Sequence, residues 1–387
     1  MDLSQVTLAS VIGTTDPVGG AEKAFRAIAN GLRSKFGLKL KVFSHLKPEE
    51  QDSDFEVTVL RSPKGASFAG MFMNLRRELL TLEGPAILFP FQINSNVLAV
   101  GVNRSLPARK RLPTILNDRA CIDELLAANA AASFSGRLKA PLRRQLALRA
   151  YRAGDHVVCN AQANEQAVSR FTGLEPSRVS TIYNPVAVEE IQSRFPTRDR
   201  SALVDGEALV VAHGRFAKQK GFDTLLRAFS RVKQVYAGTR LRLVGDGPER
   251  DALEGLATEL GIESSCEFTG FLSDPIAAIE EGDVYVLSSR WEGLPNSLLE
   301  AIGAGLPVVS TRCPTGPDEI LLDGRVGRLI EVDDAESMAE SVLELLSDGS
   351  VRQHLGEKAR ARALDFSLDQ SVSAYGAIIK RMLEGAP

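Results

Sequence analysis

Short apolar runs alternate with stretches of helical period along almost the whole of this chain, and that alternation narrows its possible folds to one class. Val6–Ile12, Leu40–Phe43, Val57–Leu60, Ala86–Phe89, Thr114–Leu116 and His156–Cys159 read as strands in the first half. Ala208–Ala212, Arg240–Val244, Cys266–Phe268, Val284–Leu287 and Pro307–Ser310 repeat the theme in the second. Helical segments fall between them. Gly20–Leu32 carries Ala24, Ile28 and Leu32 on one face, and Gly221–Val235 and Pro248–Leu260 follow later strands. Strands spaced by helices predict βαβ units and parallel sheets. At 387 residues the chain is too long for one ordinary core. The expectation is therefore an α/β protein with two Rossmann-like domains.

A polar, charge-rich stretch from Glu189 to Asp205 follows Asn184-Pro185 and reads as a connection before a fresh strand. It divides the chain into an amino-terminal domain over 1–184 and a carboxy-terminal domain over 185–365. The remainder, 366–387, reads as a capped terminal helix.

Composition removes several function classes. No run approaches the ~20 apolar residues of a membrane span. Met1-Asp2-Leu3-Ser4-Gln5 lacks the basic and apolar regions of a signal peptide, so a cytoplasmic protein is expected. Cys121, Cys159, Cys266 and Cys313 are scattered without metal-ligand spacing and read as reduced thiols. His45, His156, His213 and His354 form no cluster in the sequence, which supports neither a metal site nor a Ser/His/Asp triad. Asp52-Ser53-Asp54 has the form of a metal-binding Asp-x-Asp, but among Glu49, Glu50 and Glu56 it reads as a solvated acidic loop.

The net charge of −3 hides an asymmetry: residues 1–188 hold 24 basic and 16 acidic side chains, the rest 22 and 33. A basic first half suits an anionic partner, a membrane surface or a nucleic acid. Within it, 133–152 carries Arg137, Lys139, Arg143, Arg144, Arg149 and Arg152 and no acid. Leu138, Leu142, Leu146 and Ala150 recur there at four-residue spacing. Such a helix either lies on an anionic bilayer or turns its apolar stripe to the core.

The chemistry concentrates in the second half. In Trp291-Glu292-Gly293-Leu294-Pro295-Asn296-Ser297-Leu298-Leu299-Glu300, two carboxylates stand eight positions apart around a Gly-Leu-Pro-Asn turn. The strand before it places Glu292 in a loop at the strand's carboxyl end and Glu300 a turn into the next helix. In an open α/β sheet that edge binds ligands, and a helix amino terminus there offers free N–H groups to a phosphate. Carboxylates beside a phosphate seat suit a sugar nucleotide, accepting bonds from its hydroxyls.

Upstream, His213-Gly214-Arg215-Phe216-Ala217-Lys218-Gln219-Lys220-Gly221 also follows a strand and opens a helix. Arg215 and Lys220 are spaced to meet a diphosphate, one as a planar fork and the other as a mobile point charge. Gly245-Asp246-Gly247-Pro248 lacks the third glycine of a dinucleotide fingerprint and reads as a tight strand-to-helix turn. Gly316, in Cys313-Pro314-Thr315-Gly316-Pro317, permits close backbone approach to a sugar or phosphate. Gly19 and Gly20, between the first strand and first helix, permit the same.

These residues resemble those of bacterial glycosyltransferases of family 4, over nearly the whole length and most strongly from Val210 to Ile330. The pieces that carry the resemblance are Gly214-Arg215 with Lys220-Gly221, Gly245-Asp246-Gly247-Pro248, the Glu292…Glu300 pair, Asn184-Pro185 and the Gly19-Gly20-Ala21-Glu22 turn. The resemblance implies a GT-B arrangement, two Rossmann-like domains facing a cleft, with the terminal helix crossing back to the first. It implies a retaining enzyme that extends a glycan or lipid-linked oligosaccharide and needs no metal ion or other cofactor. By the same token Arg215 and Lys220 neutralise the donor's diphosphate, Glu300 holds its ribose, and Glu292 lies by the sugar near the reacting carbon. Gly293, Leu294, Pro295, Asn296 and Gly316 complete the donor seat, with Gly19 and Gly20 approaching from the first domain.

One departure stands out. Many relatives carry a histidine in the first domain beside the transferred sugar. Here the region from Phe89-Pro90-Phe91-Gln92-Ile93-Asn94 to Asn117-Asp118-Arg119 has none. Asn94, Asp118 and Arg119 are the polar candidates in its place.

The expected activity is transfer of a hexose from a nucleoside diphosphate sugar, UDP-linked first and GDP-mannose second, to a glycan hydroxyl. A location on the inner face of the membrane would fit a lipid-linked acceptor. A sugar-nucleotide epimerase in the same fold remains an alternative, as does a non-enzymatic nucleic-acid-binding protein. The latter lacks aromatic residues interleaved with its basic ones, since Phe, Tyr and Trp make up only 6% of the chain.

Overall fold

The structure is a computed structural model that describes residues 2–16, 19–47, 54–60, 67–119, 134–203 and 207–385. The chain divides into two units: Met1–Pro185 with Leu368–Pro387, and Val186–Ser367.

The first unit is built on parallel strands β1 (Thr7–Ile12), β2 (Lys39–Ser44), β3 (Val57–Val59), β4 (Ala86–Pro90), β5 (Ile115–Asp118), β6 (His156–Cys159) and β7 (Val179–Thr181). They run in the order β3-β2-β1-β4 and β5-β6-β7, and the Leu88–Thr114 and Phe91–Asn117 bridges join β4 to β5. Strand order reverses between β1 and β4, the point where a doubly wound sheet opens a crevice. All five residues of β4 are buried, as expected of a central strand covered on both faces. Edge-to-face contacts of Phe25 with Phe91 and of Phe89 with Tyr375, with centroids 5.2 and 5.4 Å apart, fix the core beneath it.

The terminal helix, Leu368–Leu383, packs on Gly20–Phe36 within this unit. Close approach is possible because Gly31 and Gly376 lack side chains. A Cβ at Gly31 would fall 2.4 Å from Val372, and one at Gly376 2.5 Å from Phe36. Arg119 links this helix to the sheet. It donates to Asn117 Oδ1 (3.2 Å), to Asn184 Oδ1 (3.1 Å) and to the Tyr375 hydroxyl, and lies 4.9 Å from the Phe91 ring centre.

The second unit repeats the plan with β8 (Ala208–His213), β9 (Thr239–Val244), β10 (Cys266–Gly270), β11 (Val284–Leu287), β12 (Val308–Thr311) and β13 (Arg328–Ile330). The strand ladders are parallel, in the order β10-β9-β8-β11-β12-β13, so the reversal falls between β8 and β11. Phe222, Leu226, Phe229 and Val232 on helix Phe222–Val235 pack into the core with Phe216 from the preceding loop. β7 and β13 are absent from the sequence-based reading. Each is three residues long, and β13 begins on an arginine, so neither carries an apolar run of its own.

Candidate functional site

In the second unit the loops that leave β8 and β11 flank the reversal point, and most of the residues singled out in the sequence meet there. The β8 loop is pinned at its base. Phe216 is fully buried, edge-on to Phe222 with centroids 5.3 Å apart, and its amide donates to Asp246 O at 2.8 Å. Its glycines are required by backbone crossings. Gly221 has φ +60°, and a Cβ there would lie 2.1 Å from Ser288 O. Gly245 has φ +142° and would meet Gly214 O at 2.0 Å. These two positions stitch the β8 loop to the β11 and β9 loops, and no other residue type fits them.

With the core side of the loop fixed, Arg215 and Lys218 are left on its exposed side. Lys220 turns across the reversal point and its ammonium bonds Glu292 Oε1 at 2.6 Å. Glu292 is itself buried. Ser289 Oγ donates to the same oxygen at 2.7 Å, and Thr315 Oγ1 donates to the Glu292 carbonyl. Arg290 holds the two loops together: it pairs with Asp223 and Asp333, each at 2.8 Å, and donates to Lys218 O at 2.7 Å.

Helix Asn296–Gly303 starts immediately after this loop, with Pro295 at its cap in extended conformation. Glu300 lies one turn in. Its Oε2 accepts from His213 Nε2, 2.7 Å away at the last residue of β8. Both carboxylates therefore reach back from the β11 side to a cationic or donor group on the β8 side. Gly316, φ +97°, packs on the intervening turn, where a Cβ would meet Pro295 Cδ at 2.6 Å and Gly293 O at 3.2 Å. The structure thus gathers Arg215, Lys220, Glu292, Gly293, Leu294, Pro295, Asn296, Glu300 and Gly316 at one end of one sheet. An arrangement with one exposed guanidinium, an ammonium, helix-terminal amides and two acceptor carboxylates can hold a phosphate beside hydroxyl groups.

Gly19 and Gly20 stand in the first unit, at the start of helix Gly20–Phe36 after β1. Glu22 folds back over Gly19 and accepts from Gln92 Nε2 at 2.8 Å. Gln92 has φ 72° and ψ 154°, a region otherwise left to glycine, at the carboxyl end of β4 beside the reversal point. Such strain persists only where surrounding structure enforces it, and it concentrates at working sites. Of the three polar candidates for the missing histidine, Asp118 and Arg119 are buried in the core, and Asn94 is exposed.

The structure adds two facts that spacing did not give. His213 bonds one of the paired carboxylates. The apolar stripe of 133–152 does not behave as one face of helix Phe134–Ala153. Ala147, Ala150 and Tyr151 enter the core, while Leu142 and Leu146 are 63% and 43% exposed. Position 133, and the side chains to Lys139, lie outside the described residues, as do Asp52 and Ser53 of the acidic loop. Asp54 pairs with Arg26. Among the described residues no three His, Cys, Asp or Glu side chains converge as a metal site would require. Nor does any described helix have the length and apolarity to cross a membrane.

Residues 18–190 match the family model described as Glycosyltransferase Family 4, and residues 193–362 match Glycosyl transferases group 1. The lipopolysaccharide core biosynthesis glycosyltransferase LpsE of Rhizobium meliloti is 35% identical over 228 residues, 58% of this chain and 64% of that protein. A Campylobacter jejuni N-acetylgalactosaminyltransferase, named for a diphospho-undecaprenol-linked acceptor, is 28% identical over 216 residues, 56% of this chain and 57% of its own. The chain thus spans less than two thirds of either relative. Among solved structures, Anabaena HepE in complex with UDP superposes with a TM-score of 0.78 at 17% identity, covering 97% of this chain and 99% of that one. At that identity the likeness speaks to the fold.

Proposed function

The chain belongs to the family-4 glycosyltransferases, and from that premise we propose that it moves a hexose from a nucleoside diphosphate sugar to a hydroxyl of a growing or lipid-linked glycan. The observation that carries this reading is the pair of carboxylates at the second unit's reversal point, Glu292 held by Lys220 and Glu300 by His213. UDP is the favoured nucleotide, in keeping with the UDP complex of the HepE neighbour.

In this reading Arg215, Lys220 and the amides opening helix Asn296–Gly303 take the diphosphate. Glu300 accepts from the ribose and Glu292 from the sugar. The acceptor oxygen bonds the anomeric carbon as its bond to the diphosphate breaks. The departing diphosphate takes the acceptor's proton, and configuration is retained. The charge that builds on the leaving group is the part of the barrier this chain lowers. Lys220 would exchange part of its bond with Glu292 for the phosphate, leaving the carboxylate to the sugar hydroxyls. No metal ion is required, because the guanidinium and ammonium supply the positive charge.

Transfer of radiolabelled sugar from UDP-glucose and its congeners to membrane extract tests the assignment. Arg215→Ala and Lys220→Ala should each raise the barrier by about 2–4 kcal/mol. Undiminished transfer by both variants would refute it. Transfer to water alone, or conversion of the donor without an acceptor, would favour the epimerase reading.

The acceptor side bears on location. Helices Phe68–Leu80 and Phe134–Ala153 both pack against Ile93–Ser105. Together they expose Phe68, Met73, Leu142 and Leu146. Arg104, Arg149, Arg152 and Arg178 line a groove of about 680 Å³ beside Leu146. Exposed apolar side chains, one of them beside an arginine-lined groove, suit a peripheral seat on an anionic, inner-leaflet surface.

A further inference from the structure

His213 ends β8 and is 6% exposed, and the proposed chemistry gives it no step and no contact with the donor. Its Nε2 stands 2.7 Å from Glu300 Oε2, a bond that spans the two sides of the reversal point. Its Nδ1 is buried and has no hydrogen-bond partner. A buried N–H without an acceptor is costlier than an unfilled lone pair, so the proton belongs on Nε2 and is donated to the carboxylate. The ring cannot swing away. Tyr285, wholly buried on the neighbouring strand β11, packs edge-on with centroids 5.6 Å apart at 65°. Gly214, φ +151°, follows His213 directly and turns the chain out into the cationic loop.

A glutamate has three side-chain torsions to fix before it can meet a ribose. A donor locked in place from the strand below removes that freedom and occupies one side of one oxygen. A carboxylate's two oxygens offer about four acceptor sites in all, and the bond from His213 uses one of them. We infer that His213 is a positioning residue for the donor's ribose, holding the Glu300 carboxylate in the orientation that receives the ribose hydroxyls. This rests on the reading of Glu300 given under the proposed function. It adds a residue that neither the motif spacing nor the family comparison singles out.

The same nitrogen-to-carboxylate bond separates this role from mere support of the fold. A structural histidine would weaken every ligand alike. A positioning histidine acts only through the ribose hydroxyls. The test is calorimetric titration of the full chain with whichever of UDP, GDP and ADP binds, and with its 2′-deoxy and 3′-deoxy forms. The unaltered protein should prefer the complete ribose over at least one deoxy form by a factor on the order of tenfold. His213→Val should lose that preference, weakening the complete nucleotide by the same factor while leaving the deoxy form unchanged. His213→Gln, which restores an N–H donor, should recover part of it, and it serves where the valine variant fails to fold.

Full discrimination retained in His213→Val, or equal weakening of all three ligands, overturns the inference. Glu300→Ala tells the two failures apart. If it abolishes ribose discrimination while the His213 variants keep it, only the positioning role falls. If it changes nothing, or no nucleotide binds the unaltered protein, the reading of the site falls with it.

Discussion

Lys220 and Glu292 illustrate what a single spacing can and cannot tell. The Glu292…Glu300 interval and the Arg215…Lys220 interval were legible because each lies within one loop-to-helix junction, where sequence distance fixes spatial distance. Their meeting across the reversal point, and His213's place beneath Glu300, depend on the register of β8 against β11, which no local pattern encodes. Gln92 was hidden for a different reason. Its positive φ is imposed by its surroundings, with its amide donating to Asn117 O at 3.0 Å and its side chain to Glu22. Gln92→Gly should hold or raise the melting temperature, relieving on the order of 1–3 kcal/mol of backbone strain, and a clear fall would show that the strain is offset by the bond to Glu22. Gly245→Ala should do the reverse to the fold. With φ +142° and Gly214 O at 2.0 Å, a methyl group there forces the β8 and β9 loops apart. A loss of stability above about 1 kcal/mol by denaturant titration is expected.

Among the elements, the central strands were legible, and of the edge strands β3 and β10 were read while β7 and β13 were not. β4 and β11 are buried throughout, so their apolar runs carry the signal, whereas β7 and β13 are held by neighbours. Helix Phe134–Ala153 shows the limit of periodicity. Four-residue spacing marked Leu142, Leu146 and Ala150 as one stripe, but at 3.6 residues per turn such a stripe drifts round the helix. Only its end, with Ala147 and Tyr151, faces the core. The exposed leucines give the element its own prediction. Cosedimentation with phosphatidylglycerol vesicles should fall severalfold in the double substitution Leu142→Glu and Leu146→Glu, with an unchanged melting temperature. Equal binding to neutral vesicles by the unaltered protein would contradict an electrostatic seat.

At the scale of the molecule, two units whose first six strands share one order are joined where Asn184-Pro185 leads out of the first and Ser367-Leu368 leads back. The outward crossing precedes the polar, charge-rich stretch that follows Pro185. The return appears in the sequence only as a capped helix, because its partner Gly20–Phe36 lies more than three hundred residues away. Stability of the first unit should depend on acidity through His156. Burial, reinforced by Arg381 and Arg178, lowers it from 6.5 to about 4, and its Nε2 lies 2.9 Å from Ser180 Oγ. The unfolded chain binds the proton first. The stabilisation is therefore complete above pH 6.5 and is lost as the pH falls toward 4, by an amount on the order of 2 kcal/mol. Melting temperatures between pH 6.5 and 5, above the carboxylate range, should decline in the unaltered protein and flatten in His156→Gln. A parallel decline in both would assign the acid sensitivity elsewhere.

The central claim is that the carboxyl edge of the second unit's sheet seats a nucleoside diphosphate. A crystal structure with the tightest-binding of UDP, GDP and ADP tests it most directly. The account predicts the diphosphate against Arg215, Lys220 and the amides that open helix Asn296–Gly303, with the ribose on Glu300. A nucleotide bound away from all of these residues would contradict it.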